Sequence, residues 1–304
     1  MLNQTFTDFE FLIVNDGITD ESGEIISWYA EQDSLIRVFD KRNTGLADSL
    51  NYGVAYAKGE WIARIDADDL CMPDRLQRQM EVAQSDEDIV LIGTGIILID
   101  DKSTPLKTYR YPQKHEALLR SLTSGGAFFA HSSALYSTKS VRDVGGYRAR
   151  VLRAEDHDLW LRLSEKGRLF CVEAPLVQIR KHSDQISHDE NGDRQLVDSY
   201  VAMVSYWLRR AGQVDPVSAS PEEFEAFHVW VRERLKDQGV FLKAALVVEI
   251  KRALGRSRSL LKPLVLSRYF LMHPLLVTRW ISERFIGLNF PKKLATVWAS
   301  QIDE

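Results

Sequence analysis

Residues 59–69 read Gly-Glu-Trp-Ile-Ala-Arg-Ile-Asp-Ala-Asp-Asp, a largely apolar run that ends in three carboxylates within four positions. The run predicts a strand, and carboxylates at its tip are the hard oxygen ligands that Mg²⁺ and Mn²⁺ prefer. A cation bound there can bridge a diphosphate and take up the charge of a departing phosphate. The simpler interpretation is that Asp68 or Asp69 caps a helix that begins near Pro73. Three Asp residues behind one strand favour the metal–diphosphate site.

A second polar cluster follows the first apolar run of the chain. Phe9 to Val14 is apolar except for Glu10, which predicts a buried strand, and Asn15-Asp16-Gly17 predicts a turn after it. Open α/β sheets bind ligands at the loops that follow their strands. Asp16 lies in such a loop and can accept a hydrogen bond from a nucleobase N–H. Taken alone, the motif is that of an ordinary turn.

A third candidate loop lies between a strand that ends near Phe39 and a helix predicted over residues 46–57. It contains Arg42 and Asn43 ahead of Gly45. A basic residue beside an Asn-x-Gly turn can meet a phosphate or a ribose. A solvated turn explains the same residues equally well.

In this order, the motifs resemble those of the family-2 inverting glycosyltransferases that have the GT-A fold. The resemblance extends over residues 2–190, about two thirds of the chain, and the ordered set is far more specific than any single motif. It implies an α/β catalytic domain with a Rossmann-like, mostly parallel sheet. Its later stretches are Gly-Gly-Ala-Phe-Phe-Ala-His at 125–131, Val-Gly-Gly-Tyr at 144–147 and Ala-Glu-Asp-His-Asp-Leu-Trp-Leu-Arg-Leu at 154–163.

The resemblance also implies roles for particular residues, shared between the nucleotide-sugar, a divalent cation and the acceptor. The residues expected at the nucleotide-sugar are Asp16 at the base, Arg42, Asn43, Asp66 at the ribose or diphosphate, and Glu155. Those expected at Mn²⁺ or Mg²⁺ are Asp68 and His182, with Asp69 as a third carboxylate, and Asp156 is expected to be the general base.

Simpler interpretations of these residues remain open. Glu155, Asp156 and Asp158 can begin an amphipathic helix and favour its positive end. His182 can equally be a loop residue. His131 is expected to be a packed or loop histidine, and His157, like His115, to be structural or on the surface.

The start of the chain departs from the family pattern. It opens at Leu2-Asn3-Gln4-Thr5, a segment that in the family ends the first helix. We therefore expect the sheet to lack its usual first strand, which would leave unpaired backbone on the neighbouring strand and a partly open nucleotide site. A truncated, inactive nucleotide-sugar-binding or scaffold protein is the alternative that this feature leaves open.

The composition is that of a globular protein, with 304 residues of which 45% are hydrophobic and 27% charged. Cys71 and Cys171 lack metal-ligand spacing, which predicts reduced thiols and a cytoplasmic location, and no signal peptide is visible. We expect the GT-A domain to cover residues 1–190 and an α-helical region to cover 191–304, including a helix capped by Ser220.

Positive charge is concentrated near the C-terminus. Residues 241–293 hold 11 Lys and Arg against two Asp and Glu, a net charge of +9 in a chain whose total is −4. The segment also holds Trp280 and Phe285, but no uncharged apolar run of ~18 residues. The pattern predicts peripheral contact with the inner face of a membrane, and the alternative is a packed helical subdomain with solvated basic residues. Nucleic acid is not expected as a partner, because no recognised binding module accompanies the charge.

Together these features predict an inverting glycosyltransferase. It would move a sugar from a nucleotide-diphosphate donor, with a UDP-sugar favoured, to a hydroxyl group of a polysaccharide, glycoconjugate or lipid-linked acceptor. Asp156 would deprotonate that hydroxyl group. A nucleotidyltransferase also combines an α/β sheet with acidic metal ligands, but it calls for a Gly-rich basic loop after a first strand, and the sequence shows none.

Overall fold

The computed structural model describes residues 1–181, 193–241 and 289–302. The chain divides into two compact units, Met1–Glu190 and Asn191–Glu304. His182, Trp280 and Phe285 lie outside the described residues, so the predictions made for them stay predictions.

The first unit alternates strands and helices, as expected of an α/β domain. A short 3₁₀ turn, His131–Ser133, precedes β7. The elements in chain order are β1 (Phe11–Asp16), α1 (Ser22–Gln32), β2 (Ile36–Lys41), α2 (Leu46–Tyr56), β3 (Trp61–Ala63), β4 (Leu70–Cys71), α3 (Arg75–Ser85), β5 (Ile89–Ile99), β6 (Pro105–Tyr109), α4 (His115–Ser124), β7 (Leu135–Ser137), α5 (Thr138–Asp143), α6 (Glu155–Leu163) and β8 (Arg168–Arg180).

The strands of this unit form two separate sheets. β1 and β2 are a parallel pair in which Phe11 lies opposite Ile36 and Asp16 opposite Lys41. The larger sheet has the order β3-β7-β5-β8-β4, and β6 also pairs with β5. β5 and β8 are parallel, whereas the other pairs of the larger sheet are antiparallel. This sheet is therefore mixed rather than mostly parallel, because a strand such as β6 that returns through a short turn must run antiparallel to its neighbour.

β1 and β3 each lie at the edge of their sheet. Among the described residues, β1 pairs with β2 alone and β3 with β7 alone. Within that part of the chain, each of these strands thus has one edge without a strand partner.

β1 is less buried than its sequence predicted. The strand covers Phe11–Asp16 rather than residues 9–14, and all six of its residues are half-buried. The helix that follows buries none of its side chains, and Ile25 and Trp28 are more than half exposed. A cavity of about 390 Å³ lies between the N-terminal residues, β1 and α1. The prediction of a buried strand was wrong because an apolar run is buried only when other elements cover it on both sides.

The core of the first unit lies around β5 and α6. Leu91 and Ile92 of β5 and Trp160 of α6 are fully buried. Phe129 packs directly over Gly93, where an added Cβ would lie 2.0 Å from the ring. Glycine is therefore required at this position, and the close packing fixes the segment that leads into the His131–Ser133 turn.

The second unit is helical in its described residues. Ser220 and Glu223 form the predicted capping box before its second helix. The rings of Trp230 and Trp298 pack edge to face, with centroids 5.0 Å apart, and join the second helix to the third. The helices are α7 (Asp193–Arg210), α8 (Pro221–Asp237) and α9 (Phe290–Ile302).

Candidate active site

The acidic loop, residues 64–69, follows β3. Asp66, Asp68 and Asp69 each offer a carboxylate oxygen, and these oxygens lie within 4.8 Å of one another. Three hard oxygen donors at this spacing fit a divalent cation such as Mg²⁺ or Mn²⁺. The simpler interpretation of the loop as a helix cap is not what is observed, because the N-cap residue of α3 is Asp74.

Arg64, at the start of the acidic loop, is a buried cation that the sequence analysis did not predict as a site residue. Its two terminal nitrogens bond to both carboxylate oxygens of Asp66, and Nη1 also donates to Ser132 Oγ over 2.8 Å. Its side chain is only 7% exposed. A bidentate pair of this kind fixes the direction of the carboxylate. The sequence feature that could have pointed to Arg64 is its position at the end of an apolar strand.

Asp69 is the buried member of the acidic cluster. Its carboxylate accepts hydrogen bonds from Ser132 Oγ and, over 2.9 Å, from the backbone N–H of Arg180. Burial raises the pKa of Asp69, these two hydrogen bonds oppose the shift, and the neighbouring carboxylates add to it. Ser132 Oγ also lies 2.9 Å from Asp66 Oδ2, so one hydroxyl group links two carboxylates of the loop.

A buried polar network lies behind the acidic loop. Arg75 and Gln79 of α3 are completely buried. Arg75 Nη2 donates to the carbonyls of Arg64 and Ala134 over 2.8 and 3.1 Å, and Gln79 Nε2 donates to the carbonyl of Ser133 over 3.0 Å. These bonds hold the end of β3 to the segment that enters β7. Removing a donor would leave buried carbonyl groups without a partner.

The loop after β1 is held by Asp16. Its Oδ1 accepts hydrogen bonds from Lys41 Nζ over 2.6 Å and from the N–H of Thr44 over 3.0 Å, and its Oδ2 accepts from the N–H of Gly45 over 3.2 Å. Partial burial raises the pKa of Asp16, but the bonds from Lys41 and Thr44 outweigh it and hold the pKa below its usual value. Asp16 therefore shapes the loop between β2 and α2. Lys41 is a second residue that the sequence analysis missed.

Arg42 and Asn43 lie exposed on the loop that Asp16 holds. The turn after Asp16 approaches this loop closely. Gly17 has a φ of 78°, and an added Cβ would lie 3.1 Å from the backbone nitrogen of Asn43. Glycine at this position allows both the left-handed backbone and the contact. The structure thus brings together the predicted nucleotide-side residues that precede the acidic loop.

α6 begins at Glu155, with Asp156 in its first turn. Asp156 is half-buried, and its Oδ1 accepts a hydrogen bond from the N–H of His157 over 2.6 Å. Burial raises the pKa of Asp156, and the charge and N–H of His157 and the charge of Arg64 offset only part of the shift. A carboxylate with a raised pKa has a higher affinity for a proton, which suits it to act as a general base.

The other polar residues of this helix have structural partners. Asp158 is fully buried between Arg162, whose Nη2 lies 2.8 Å away, and Arg148, whose Nε lies 2.9 Å away. His157 Nε2 lies 2.7 Å from the carbonyl oxygen of Leu122 and therefore carries the proton. These contacts agree with the structural role predicted for His157 and show that Asp158 forms salt bridges with two arginines.

A buried row of side chains connects α2 to the segment before α6. His131 Nε2 lies 2.8 Å from the hydroxyl of Tyr147, which donates to the hydroxyl of Tyr136 over 3.1 Å. Burial, together with the charge of Arg64, lowers the pKa of His131 well below its usual range, so the ring is neutral. The backbone N–H and C=O of Tyr147 both bond to the side chain of Asn51, over 2.7 and 2.8 Å. His131 is thus a packed histidine, as predicted.

Comparison with known proteins identifies the family. Residues 1–145 match the model of Glycosyl transferase family 2. EpsE of Bacillus subtilis (strain 168), to which glycosyltransferase activity is ascribed, is 30% identical over 194 residues, which cover 60% of this chain and 66% of EpsE. The O-antigen biosynthesis glycosyltransferase WbnJ of Escherichia coli is 34% identical over 165 residues, which cover 54% of this chain and 63% of WbnJ. The chain belongs to glycosyl transferase family 2.

A solved structure supports the fold of this family-2 chain. TarS 1–349 of S. aureus superposes with a TM-score of 0.53 at 14% identity, over 86% of this chain and 70% of that one. At this identity the likeness concerns the fold alone. The predicted GT-A α/β fold, followed by a helical C-terminal region, is confirmed.

The structure places the predicted site residues of this family-2 chain in three groups. They are the acidic loop, the loop held by Asp16, and the start of α6. His182 lies outside the described residues. Ser132 gave no local signal, because it lies 63 positions from Asp69 in the sequence and meets it only in the folded chain.

Proposed function

We propose that this chain is an inverting glycosyltransferase that moves a sugar from a nucleotide-diphosphate donor to a hydroxyl group of a polysaccharide or lipid-linked glycan. The observation that carries the proposal is the acidic loop, whose carboxylate oxygens lie within 4.8 Å of one another beside the buried Arg64. Membership of the family supports glycosyl transfer, and the O-antigen biosynthesis named for WbnJ supports a polysaccharide product.

Asp156 is the proposed general base. It removes the proton of the acceptor hydroxyl while that oxygen forms a bond to the anomeric carbon and the bond to the diphosphate breaks. The proton ends on Asp156, the electron pair of the broken bond leaves with the diphosphate, and a single displacement inverts the anomeric centre. The raised pKa of Asp156 suits this role because it increases the affinity of the carboxylate for the proton.

The donor is proposed to lie between the acidic loop and the loop held by Asp16. Asp68 and His182 would hold the divalent cation, with Asp66 at the ribose or diphosphate. When bound, such a cation supplies positive charge that neutralises the departing diphosphate. Asp16 would meet the base. A uridine nucleotide and the Glu155 contact are proposed from the family resemblance alone.

A donor screen tests the proposed reaction. The full chain is incubated with UDP- and GDP-sugars and Mn²⁺ or Mg²⁺, and release of the nucleoside diphosphate is measured with and without chelator. We expect turnover of one donor class and its loss on chelation. If a donor binds but no nucleoside diphosphate is released with any glycan acceptor, a second function is favoured. The chain would then be an inactive binding or scaffold protein. The half-buried β1 and the divided sheet are the observations that favour that second function.

The cation ligand is tested by Asp68→Ala. We expect the variant to keep its fold and to lose the part of nucleoside-diphosphate binding that depends on Mn²⁺, because the cation has lost a charged oxygen ligand. Calorimetry with and without Mn²⁺ measures the effect, and circular dichroism checks the fold. Equal affinities for the variant and the parent under both conditions would remove Asp68 from the site.

Peripheral membrane contact through residues 241–293 is proposed from the charge pattern alone, and residues 242–288 lie outside the described structure. None of the helices that the structure describes is long and apolar enough to span a bilayer. Basic residues near an anionic bilayer contribute roughly 1 kcal/mol each, and salt screens the attraction. We expect salt-sensitive co-sedimentation with anionic vesicles, and no binding at any salt concentration if the segment is a packed subdomain.

A further inference from the structure

Arg64 has contacts that the proposed catalytic roles do not use. It bonds to both oxygens of Asp66 with its two terminal nitrogens, and Ser132 Oγ binds the same guanidinium over 2.8 Å. Its backbone is held on both sides, because its N–H donates to Ala134 O over 2.9 Å and its carbonyl accepts from Arg75 Nη2 over 2.8 Å. The backbone position of Arg64 is thus fixed, and its buried guanidinium is held against Asp66 and Ser132.

The contacts of Arg64 set the charge of the acidic loop. Three carboxylates lie within 4.8 Å of one another and repel each other, and Arg64 supplies a positive charge to one of them. A divalent cation held by Asp68 lies beside Asp66 and therefore close to the positive charge of Arg64. The positive charge of the guanidinium therefore opposes binding of the cation alone. A diphosphate changes this balance, because its oxygens can bind the cation while its negative charge offsets the positive charge of Arg64.

We propose that Arg64 is a positioning residue that makes divalent-cation binding by the acidic loop depend on a diphosphate. This rests on the proposed function of the loop as the donor site. The alternative is that Arg64 and Asp66 form a purely structural ion pair. The two roles differ in one measurable respect. A structural pair stabilises the fold, and breaking it leaves the gain in Mn²⁺ affinity on adding a nucleotide unchanged. The proposed role predicts that the cation alone binds more tightly once Arg64 is removed and that this gain shrinks.

The test measures Mn²⁺ binding by calorimetry in the full chain, first alone and then with saturating UDP or GDP. In the parent we expect weak binding of Mn²⁺ alone and much tighter binding with a nucleoside diphosphate. In Arg64→Gln we expect Mn²⁺ alone to bind about tenfold more tightly, the effect of removing one positive charge about 6 Å from a divalent ion in a water-like dielectric. We expect the gain in Mn²⁺ affinity on adding the nucleotide to shrink by a similar factor.

Two further variants separate the proposed role from general effects. Arg64→Lys keeps the charge but loses the planar fork, so we expect it to retain most of the parent's dependence on the nucleotide. It also serves if Arg64→Gln does not fold. Arg209→Gln removes an equal charge from a partly buried pair with Asp215 in the second unit and should leave Mn²⁺ affinity unchanged. Thermal unfolding of each variant gives the folded fraction.

The outcomes distinguish this proposal from the proposed function. If the parent binds no Mn²⁺ even with UDP or GDP, the acidic loop is not a cation site and both proposals fail. If the parent shows the coupling and Arg64→Gln binds Mn²⁺ alone no more tightly than the parent, only the role of Arg64 is overturned. If Arg209→Gln tightens Mn²⁺ binding as much as Arg64→Gln does, the effect is one of net charge, and the role of Arg64 is again overturned.

Discussion

The acidic loop and the loop held by Asp16 are the two sides of the proposed donor site, and the protein holds them in different ways. Behind the acidic loop, Arg75 and Gln79 are completely buried and hydrogen-bonded to backbone carbonyls. The Asp16 loop follows the half-buried β1, and the side chains of Asp16 and Lys41 are 23% and 11% exposed. The acidic loop is therefore built on the core, whereas the Asp16 loop depends on a few hydrogen bonds at the end of a two-stranded sheet.

This difference has a consequence for function. A site supported by buried, fully bonded side chains keeps its geometry when no ligand is bound. A loop with few buried contacts opens at a lower free energy. We therefore expect changes on the acidic side to affect the reaction or the fold strongly, and changes on the Asp16 side to have smaller effects.

The largest expected effect is that of Asp156→Asn on the reaction. The amide is nearly isosteric but takes up no proton at neutral pH, so transfer should fall by about 10²–10⁴-fold while donor binding is kept. Product formation in the donor assay and calorimetry with the donor measure the two quantities. Asp143→Asn is the control, since Asp143 lies on α5 and pairs with Lys139. Transfer within a few-fold of the parent would exclude Asp156 as the base.

The difference in how firmly the two loops are held is tested by replacing one Arg in the structure that supports each loop. Arg75→Met removes the donor that Arg75 supplies to the carbonyl of Arg64 and to Oε1 of Gln79, so we expect a loss of roughly 3 kcal/mol or more in the free energy of unfolding. Arg37→Met on β2 breaks a partly exposed pair with Glu10 and should cost about 1 kcal/mol or less. Urea unfolding measures both variants. Equal losses would show that the two sides are held equally well.

The smallest expected effect is that of Asp16→Asn on stability as a function of pH. The pKa of Asp16 is lower in the folded protein than its ordinary value near 3.8. The carboxylate therefore contributes stability that is present above that ordinary value and is lost as the pH falls through the lowered pKa. We expect the variant to be slightly less stable than the parent at neutral pH and equally stable in acid. A difference that persists unchanged to low pH would show that the charge of Asp16 is not what holds the loop.

Local features of the molecule followed from the sequence. The helix predicted over residues 46–57 is observed at Leu46–Tyr56, and the capping box of Ser220 and Glu223 is present. The clustering of Asp66, Asp68 and Asp69 was also predictable, because all three lie in one short loop at the end of a strand. Such features depend on residues a few positions apart, whose geometry the local backbone sets.

Other features could not be predicted because they depend on residues far apart in the chain. Ser132 meets Asp69 across 63 positions, and Asn51 clamps the backbone of Tyr147 across 96. The apolar residues of β1 predicted a buried strand, yet the strand is half-buried, since burial depends on which elements pack against it.

By itself, therefore, the sequence determined the helix that follows the loop of Arg42 and Asn43, the acidic cluster and the family pattern. Spacing along the chain is enough to specify each of them. Only the tertiary structure decided that Arg64 holds Asp66, that Lys41 holds Asp16, and that a buried polar network lies behind the acidic loop while the Asp16 loop follows a half-buried strand. The physical reason is that the strength and direction of a charged contact depend on burial and on the partners that distant segments supply.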